Sequence, residues 1–131
     1  EKKSFEDRVS QVFQQISKQY KKRFFIKVGT RFQSIQVNEI CCFFVEERNT
    51  FLKTSLGKTY DLDSSLEQLQ KTVDPNQFFR INRNFLVNIN SIDEIISYST
   101  SRLKLKLKTQ IPVDIIVSRD KVSEFKNWMD R

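Results

Sequence analysis

Apolar residues recur at three- and four-residue steps from Ser4 to about Lys22, at Phe5, Val9, Val12, Phe13, Ile16 and Tyr20, with Ser4 placed to cap the start. That is the period of an amphipathic helix, either lying on the domain's own core or serving as a connector or dimerisation helix from a preceding domain. From Phe24 the period shortens. FFIKV, FQSIQV after Gly29, ICCFFVEE, TFLKT, and KTYDL after Gly57 are short runs rich in aromatic and β-branched residues, separated by turn-forming spots. They predict successive antiparallel strands rather than alternating strand and helix. A short helix is expected next: Asp63 and Ser64 offer an N-cap, Glu67 stands three beyond Ser64, Leu66, Leu69 and Val73 make one stripe, and Asp74-Pro75 ends it. IDEIISYS and RLKLKLK read as two strands around a turn at Ser99 to Ser101, followed by QIPVDIIV as a further strand. A closing helix is expected from about Arg119 to Asp130, capped by Ser118, with Val122, Phe125 and Trp128 or Met129 on its apolar side.

The stretch FFRINRNFLVN crowds arginines and asparagines into what otherwise reads as core. As a strand it puts Phe79, Ile81, Phe85, Val87 and Ile89 on an apolar face and Arg80, Asn82, Asn84, Asn88 and Asn90 on a polar one. Arg83 and Leu86 break the alternation. An arginine in a core slot is costly to bury, so the strand is expected to end near Asn82, with a turn lifting Arg83 out. Arg80, Asn82, Arg83 and Asn84 then sit at or beside an exposed bend. Arginine and asparagine match the donor and acceptor geometry of guanine and adenine edges; asparagine is also a common turn residue.

With 131 residues the chain suits one compact domain plus an appended helix. Cys41 and Cys42 are adjacent, which disfavours a disulfide between them, and read as small strand residues of a reducing compartment. The sequence has no histidine, which removes the usual general base and, with no cysteine spacing of zinc type, any support for a zinc site; no cofactor is called for. Net charge is +7. Lys18, Lys21, Lys22, Arg23, Lys27 and Arg31 run without an acidic residue among them, and Arg80, Arg83, Arg102, Lys104, Lys106 and Lys108 outnumber Asp93 and Glu94. Such a balance favours polyanions, nucleic acid first. The alternating lysines of RLKLKLK read first as a solvated sheet face, able to add to a phosphate-attracting field. No apolar run approaches the roughly 20 residues needed to cross a bilayer and no signal-peptide pattern is present, so a cytoplasmic location without membrane partners is expected.

FFRINRNFLVNINSI, preceded by the SLEQLQ helix and followed by VSRDKVSEFKNWM, resembles the LytTR DNA-binding domain, the output module of LytR/AlgR-type response regulators. The resemblance runs from about Phe24 to Met129. It implies a mainly β fold of elongated antiparallel sheets with short helices, and loops that enter successive major grooves of double-stranded DNA. Carried over by motif, the contacts fall in three places. The turn between ICCFFVEE and TFLKT points to Asn49 or Thr50, with Arg48 adjacent; the bend supplies Asn82, Arg83 and Asn84, with Arg80 beside it; and the Ser-Arg before the last helix matches Ser118 and Arg119. Arg119 is the expected principal base reader, with Asn82 and Arg83 dividing base and phosphate contacts. Family members often carry histidine at the Asn82 position and serine at the Asn84 position, and many run Pro-Val directly into Ser-Arg where this chain has Asp114 to Val117.

The expected organisation is therefore a linker or dimerisation helix at 1–22 and a LytTR-type domain at 23–131. The chain opens at Glu1 and its single methionine is Met129, so it is expected to be a piece of a longer regulator with an upstream receiver or sensor domain, pairing as a homodimer on DNA. The competing expectation is a non-catalytic protein-interaction module whose basic faces serve solubility. An enzyme has only ordinary turn and strand-end carboxylates such as Asp61, Asp63, Glu46 and Glu47 to recommend it.

Overall fold

A computed structural model describes Phe5, Arg8, Val9 and residues 19–131. The amphipathic helix expected from Ser4 to Lys22 lies almost wholly outside the described residues. The rest is mainly β, with every strand pairing antiparallel. β1 (Arg23–Val28) and β2 (Arg31–Gln36) form a two-stranded ribbon that turns through Gly29, whose φ of 64° suits glycine. β3 (Ile40–Glu46), β4 (Asn49–Thr54), β5 (Thr59–Leu62), β6 (Phe78–Asn82) and β7 (Phe85–Asn88) build a five-stranded sheet in the order β5-β4-β3-β7-β6. β8 (Ile92–Tyr98), β9 (Arg102–Leu107) and β10 (Ile115–Val117) form a three-stranded sheet with β9 in the middle. Helix α1 (Leu66–Thr72) links β5 to β6, and α2 (Val122–Met129) closes the chain after a 3-10 turn at Arg119–Lys121.

The five-stranded sheet has a core on each face. On one side Phe43, Leu52 and Leu86 pack with Leu66 and Leu69 of α1 and with Phe24, Ile26 and Ile35 of the ribbon. On the other, Cys42, Phe85 and Val87 pack with Leu105, Ile115 and Val117 of the second sheet and with Phe125 and Trp128 of α2. This resolves the break in alternation at Leu86: it is not misplaced but fills the opposite core, as does Phe78. The polar face expected for the even residues is corrected accordingly, since Asn88 is only 1% exposed. The same two-sidedness explains the cysteines. A bulge between Ile40 and Cys42 interrupts the register, so Cys41 and Cys42 both belong to the second core instead of alternating between the two. The hydrogen bond with Cys41 and burial both push the Cys42 thiol up, away from reactivity.

Three boundaries differ from expectation. The α1 cap is Ser65, one residue late: Gln68 N donates to Ser65 Oγ at 3.2 Å and Ser65 N donates to Gln68 Oε1 at 2.9 Å. Such a cap is worth about 1 kcal/mol, and the shift releases Glu67 for another partner. QIPVDIIV is strand only at Ile115–Val117, because Pro112 lacks a donor and Asp114 is turned away by an ion pair with Lys104 at 3.2 Å. Ser118 makes no capping bond; it is used elsewhere.

Candidate nucleic-acid interface

β6 ends at Asn82, Arg83 and Asn84 form the turn, and β7 begins at Phe85, as the bend was expected to run. The turn is held from inside by Asn82. Its Oδ1 accepts from Asn84 N at 2.7 Å and its Nδ2 donates to Ile116 O at 2.7 Å, so one side chain shapes the turn and ties it to β10. Arg80 braces the same turn from the other side. Its guanidinium donates to Asn82 O at 3.3 Å, to Arg83 O at 2.8 Å and to Glu67 Oε1 at 3.0 Å, the carboxylate left free by the displaced α1 cap. Arg80 and Asn82 are thus committed to protein partners, and Arg83 and Asn84 are the exposed pair.

Ser118 completes the frame. Its N and Oγ both donate to Ile81 O, at 2.9 and 3.2 Å, which pins the Ser-Arg step against the end of β6 and leaves Arg119 exposed immediately beyond it. Between the two segments lies a cleft of about 460 Å³ lined by Arg80, Asn82, Arg83 and Ser118, together with Gln70, Asp120 and Lys121, which the sequence reading did not single out. The only signal for Lys121 was its position two residues after Arg119; Gln70 gave none beyond lying off the apolar stripe of α1.

The third expected segment arrives through β3. Val45 N donates to Asn84 O at 3.0 Å and Phe44 pairs with Phe85, so the β3–β4 turn leaves the sheet at the same end as the Arg83-Asn84 turn. At about 3.3 Å per residue it stands roughly 7 Å further out. Its central residues Glu47 and Arg48 have φ of 49° and 70°, both left-handed, the geometry that two-residue hairpins usually fill with Asn-Gly. Each non-glycine residue there is strained by about 1 kcal/mol. Asn49 is exposed, whereas Thr50 is 8% exposed and sits inside β4 opposite Leu62. Of the two residues expected here, only Asn49 is thus placed at the surface of the turn. Among the described residues, the side chains of Arg48, Asn49, Arg83, Asn84 and Arg119 have no hydrogen-bonding or ion-pair partner.

Residues 30–130 match the family model of the LytTr DNA-binding domain. The transcriptional regulatory protein YpdB of Escherichia coli K12 is 32% identical over 93 residues, 71% of this chain and 37% of YpdB. An uncharacterized response regulatory protein of Vibrio cholerae is 37% identical over 70 residues, 51% of this chain and 27% of that protein. The chain thus spans between about a quarter and little more than a third of the curated relatives it matches. A solved LytTr DNA-binding domain from Bacillus cereus superposes with a TM-score of 0.75 at 19% identity, covering 85% of this chain and 99% of that one. Three antiparallel sheets, the braced bend and the family match agree: the chain belongs to the LytTr DNA-binding domain family.

Proposed function

We propose that the chain is the sequence-specific, double-stranded-DNA-binding output domain of a bacterial transcription regulator of the two-component, response-regulator type, and that it is non-catalytic and cytoplasmic. The observation that carries this reading is the convergence of three turns at one end of the five-stranded sheet, where unpartnered Arg and Asn side chains stand on a frame made rigid by Arg80, Asn82 and Ser118. Rigid donors lose little freedom on binding, which favours selective contact. Arg119 reads guanine, Asn49 and Asn84 read base edges, and Arg48, Arg83 and Lys121 meet phosphate. Arg80, Asn82, Thr50 and Ser118 act by holding these groups in place. Turns projecting from one sheet end enter successive major grooves, with no recognition helix. An upstream receiver or sensor domain, in the part of the protein beyond this chain, promotes pairing of two copies, and the pair binds two half-sites far better than one copy can.

Selection of bound sequences from random duplex DNA at a stated salt concentration tests the reading: an enriched motif supports it, and no enrichment sinks it. The strained β3–β4 turn gives a second test. Arg48→Gly is expected to raise stability by up to about 1 kcal/mol, because glycine occupies the left-handed region without strain, while lowering affinity for the selected site. Thermal unfolding and a binding titration on one preparation separate the two effects; a loss of stability would mean that the turn is not strained as described.

One observation favours the alternative, a protein-interaction module. On the outer face of the ribbon Phe25 and Phe32 are 72% and 56% exposed and stack on each other with centroids 4.9 Å apart. DNA affinity that barely responded to salt or competitor sequence would support that reading.

A further inference from the structure

On the second face of the five-stranded sheet, next to the DNA-facing turns, Phe51, Phe44 and Phe85 form a ladder of near-parallel rings, with centroids 5.3 and 5.8 Å apart and interplanar angles of 26° and 20°. Ile111, Pro112 and Val113, between β9 and β10, lie across it and enclose a cleft of about 520 Å³. That volume suits a small molecule, and an aromatic floor with few polar groups is the usual make-up of a ligand site. The covering segment is tied down at both ends: Thr109 Oγ1 donates to Ser55 O at 3.1 Å, and Asp114 pairs with Lys104. Val113 is nevertheless 50% exposed, so the cleft opens to solvent.

The charges lining the cleft are ordered along the strands, at right angles to the ladder, whose three rings share one cross-strand row. Lys53 shares its row with Cys42, Phe51 with Phe44, and Asn49 with Glu46. Lys53 and Glu46 therefore stand at opposite ends, four strand positions or about 13 Å apart. Among the described residues no carboxylate lies within ion-pair distance of Lys53, whereas the third charged group of the lining, Asp114, is already matched by Lys104. A ligand lying across the ring row, along the strands, meets a cation at one end and an anion at the other.

We infer that this cleft binds a flat aromatic monocarboxylate, its rings on the Phe44, Phe51 and Phe85 ladder and its carboxylate on Lys53, pointing away from Glu46. Asn82 and Asn84 form part of the wall, so occupancy registers at the turn that faces DNA. Binding itself depends on the cleft alone and holds whether or not the DNA reading does.

The test titrates biphenyl-4-carboxylate, and separately its uncharged carboxamide, into the 131-residue chain, followed through backbone amide NMR shifts. Saturable shifts at Phe44, Phe51, Asn84 and Ile116 are expected, with the carboxamide binding about fivefold more weakly, the scale of a half-exposed ion pair. Lys53→Gln should remove the difference between the two probes, and Glu46→Gln should leave carboxylate binding unchanged or tighter. Equal binding of acid and amide by the unaltered chain, shifts that map elsewhere, or no saturation up to the probes' solubility limit overturns the inference.

Discussion

Replacing Arg119 with alanine is expected to cut the preference for the cognate duplex sharply while leaving salt-sensitive binding to any duplex. Arg119 follows Ser118, which is fixed by two hydrogen bonds to Ile81 O, so its guanidinium is delivered from a rigid point and has no partner of its own among the described residues. A bidentate arginine-guanine contact discriminates by about 1–3 kcal/mol, or roughly fivefold to 150-fold in affinity ratio. The measurement is competition between the selected duplex and a scrambled one at fixed salt, for the unaltered chain, for Arg119→Ala and for Lys104→Ala. Lys104 lies on β9 and is ion-paired with Asp114 at 3.2 Å, so its loss should lower both affinities slightly and equally. If the two variants changed the affinity ratio alike, Arg119 would not be the reader.

Much of this frame was legible in the sequence, and the reasons for success and failure are physical. The strands of the first half carry aromatic and β-branched residues between turn signals, and the two-residue period survives burial on both sides. The bend was legible because an arginine in a core slot has no stable alternative to leaving it. What could not be read is how many cores the sheet has. Leu86 looked like an error in a one-faced strand and Asn88 looked exposed, because alternation gives the side of a strand and not what covers it. The bulges at Cys41 and Ile81 are register effects set by tertiary pairing. The bracing by Arg80 and Asn82 was the subtler feature. Their chemistry fits base recognition and turn bracing equally, and only partner distances divide the roles. The β3–β4 turn comes one residue earlier than expected, at Glu47-Arg48 rather than Arg48-Asn49, and its strain was invisible because Glu47 and Arg48 carry no glycine signal.

Alanine at Asn88 and alanine at Asn82 should separate the two uses of asparagine in this segment. Asn88 is fully buried; its Nδ2 donates to Ile40 O at 2.9 Å and its Oδ1 accepts from Asn90 N at 3.0 Å. Truncation strands Ile40 O away from water and also loses the bond to Asn90 N, so Asn88→Ala should destabilise the domain by on the order of 2–4 kcal/mol, a large share of an ordinary domain's stability. Asn82 makes two comparable bonds but is only half-buried, so water can reach the groups it leaves, and Asn82→Ala should cost about 1–2 kcal/mol. Its effect on DNA should be the larger one. Without Asn82 the turn loses both its internal bond and its tie to β10, so Arg83, Asn84 and Arg119 must be ordered on binding, at about 0.5–1.5 kcal/mol per side chain. Affinity for the selected duplex should fall about tenfold or more, measured where both variants remain folded. Asn88→Ala, under the same conditions, should bind nearly as well as the unaltered chain. Urea denaturation and a DNA titration on the two proteins decide it: if the variants ranked the same way in both measurements, the turn would owe its binding role to fold stability alone and not to the bracing by Asn82.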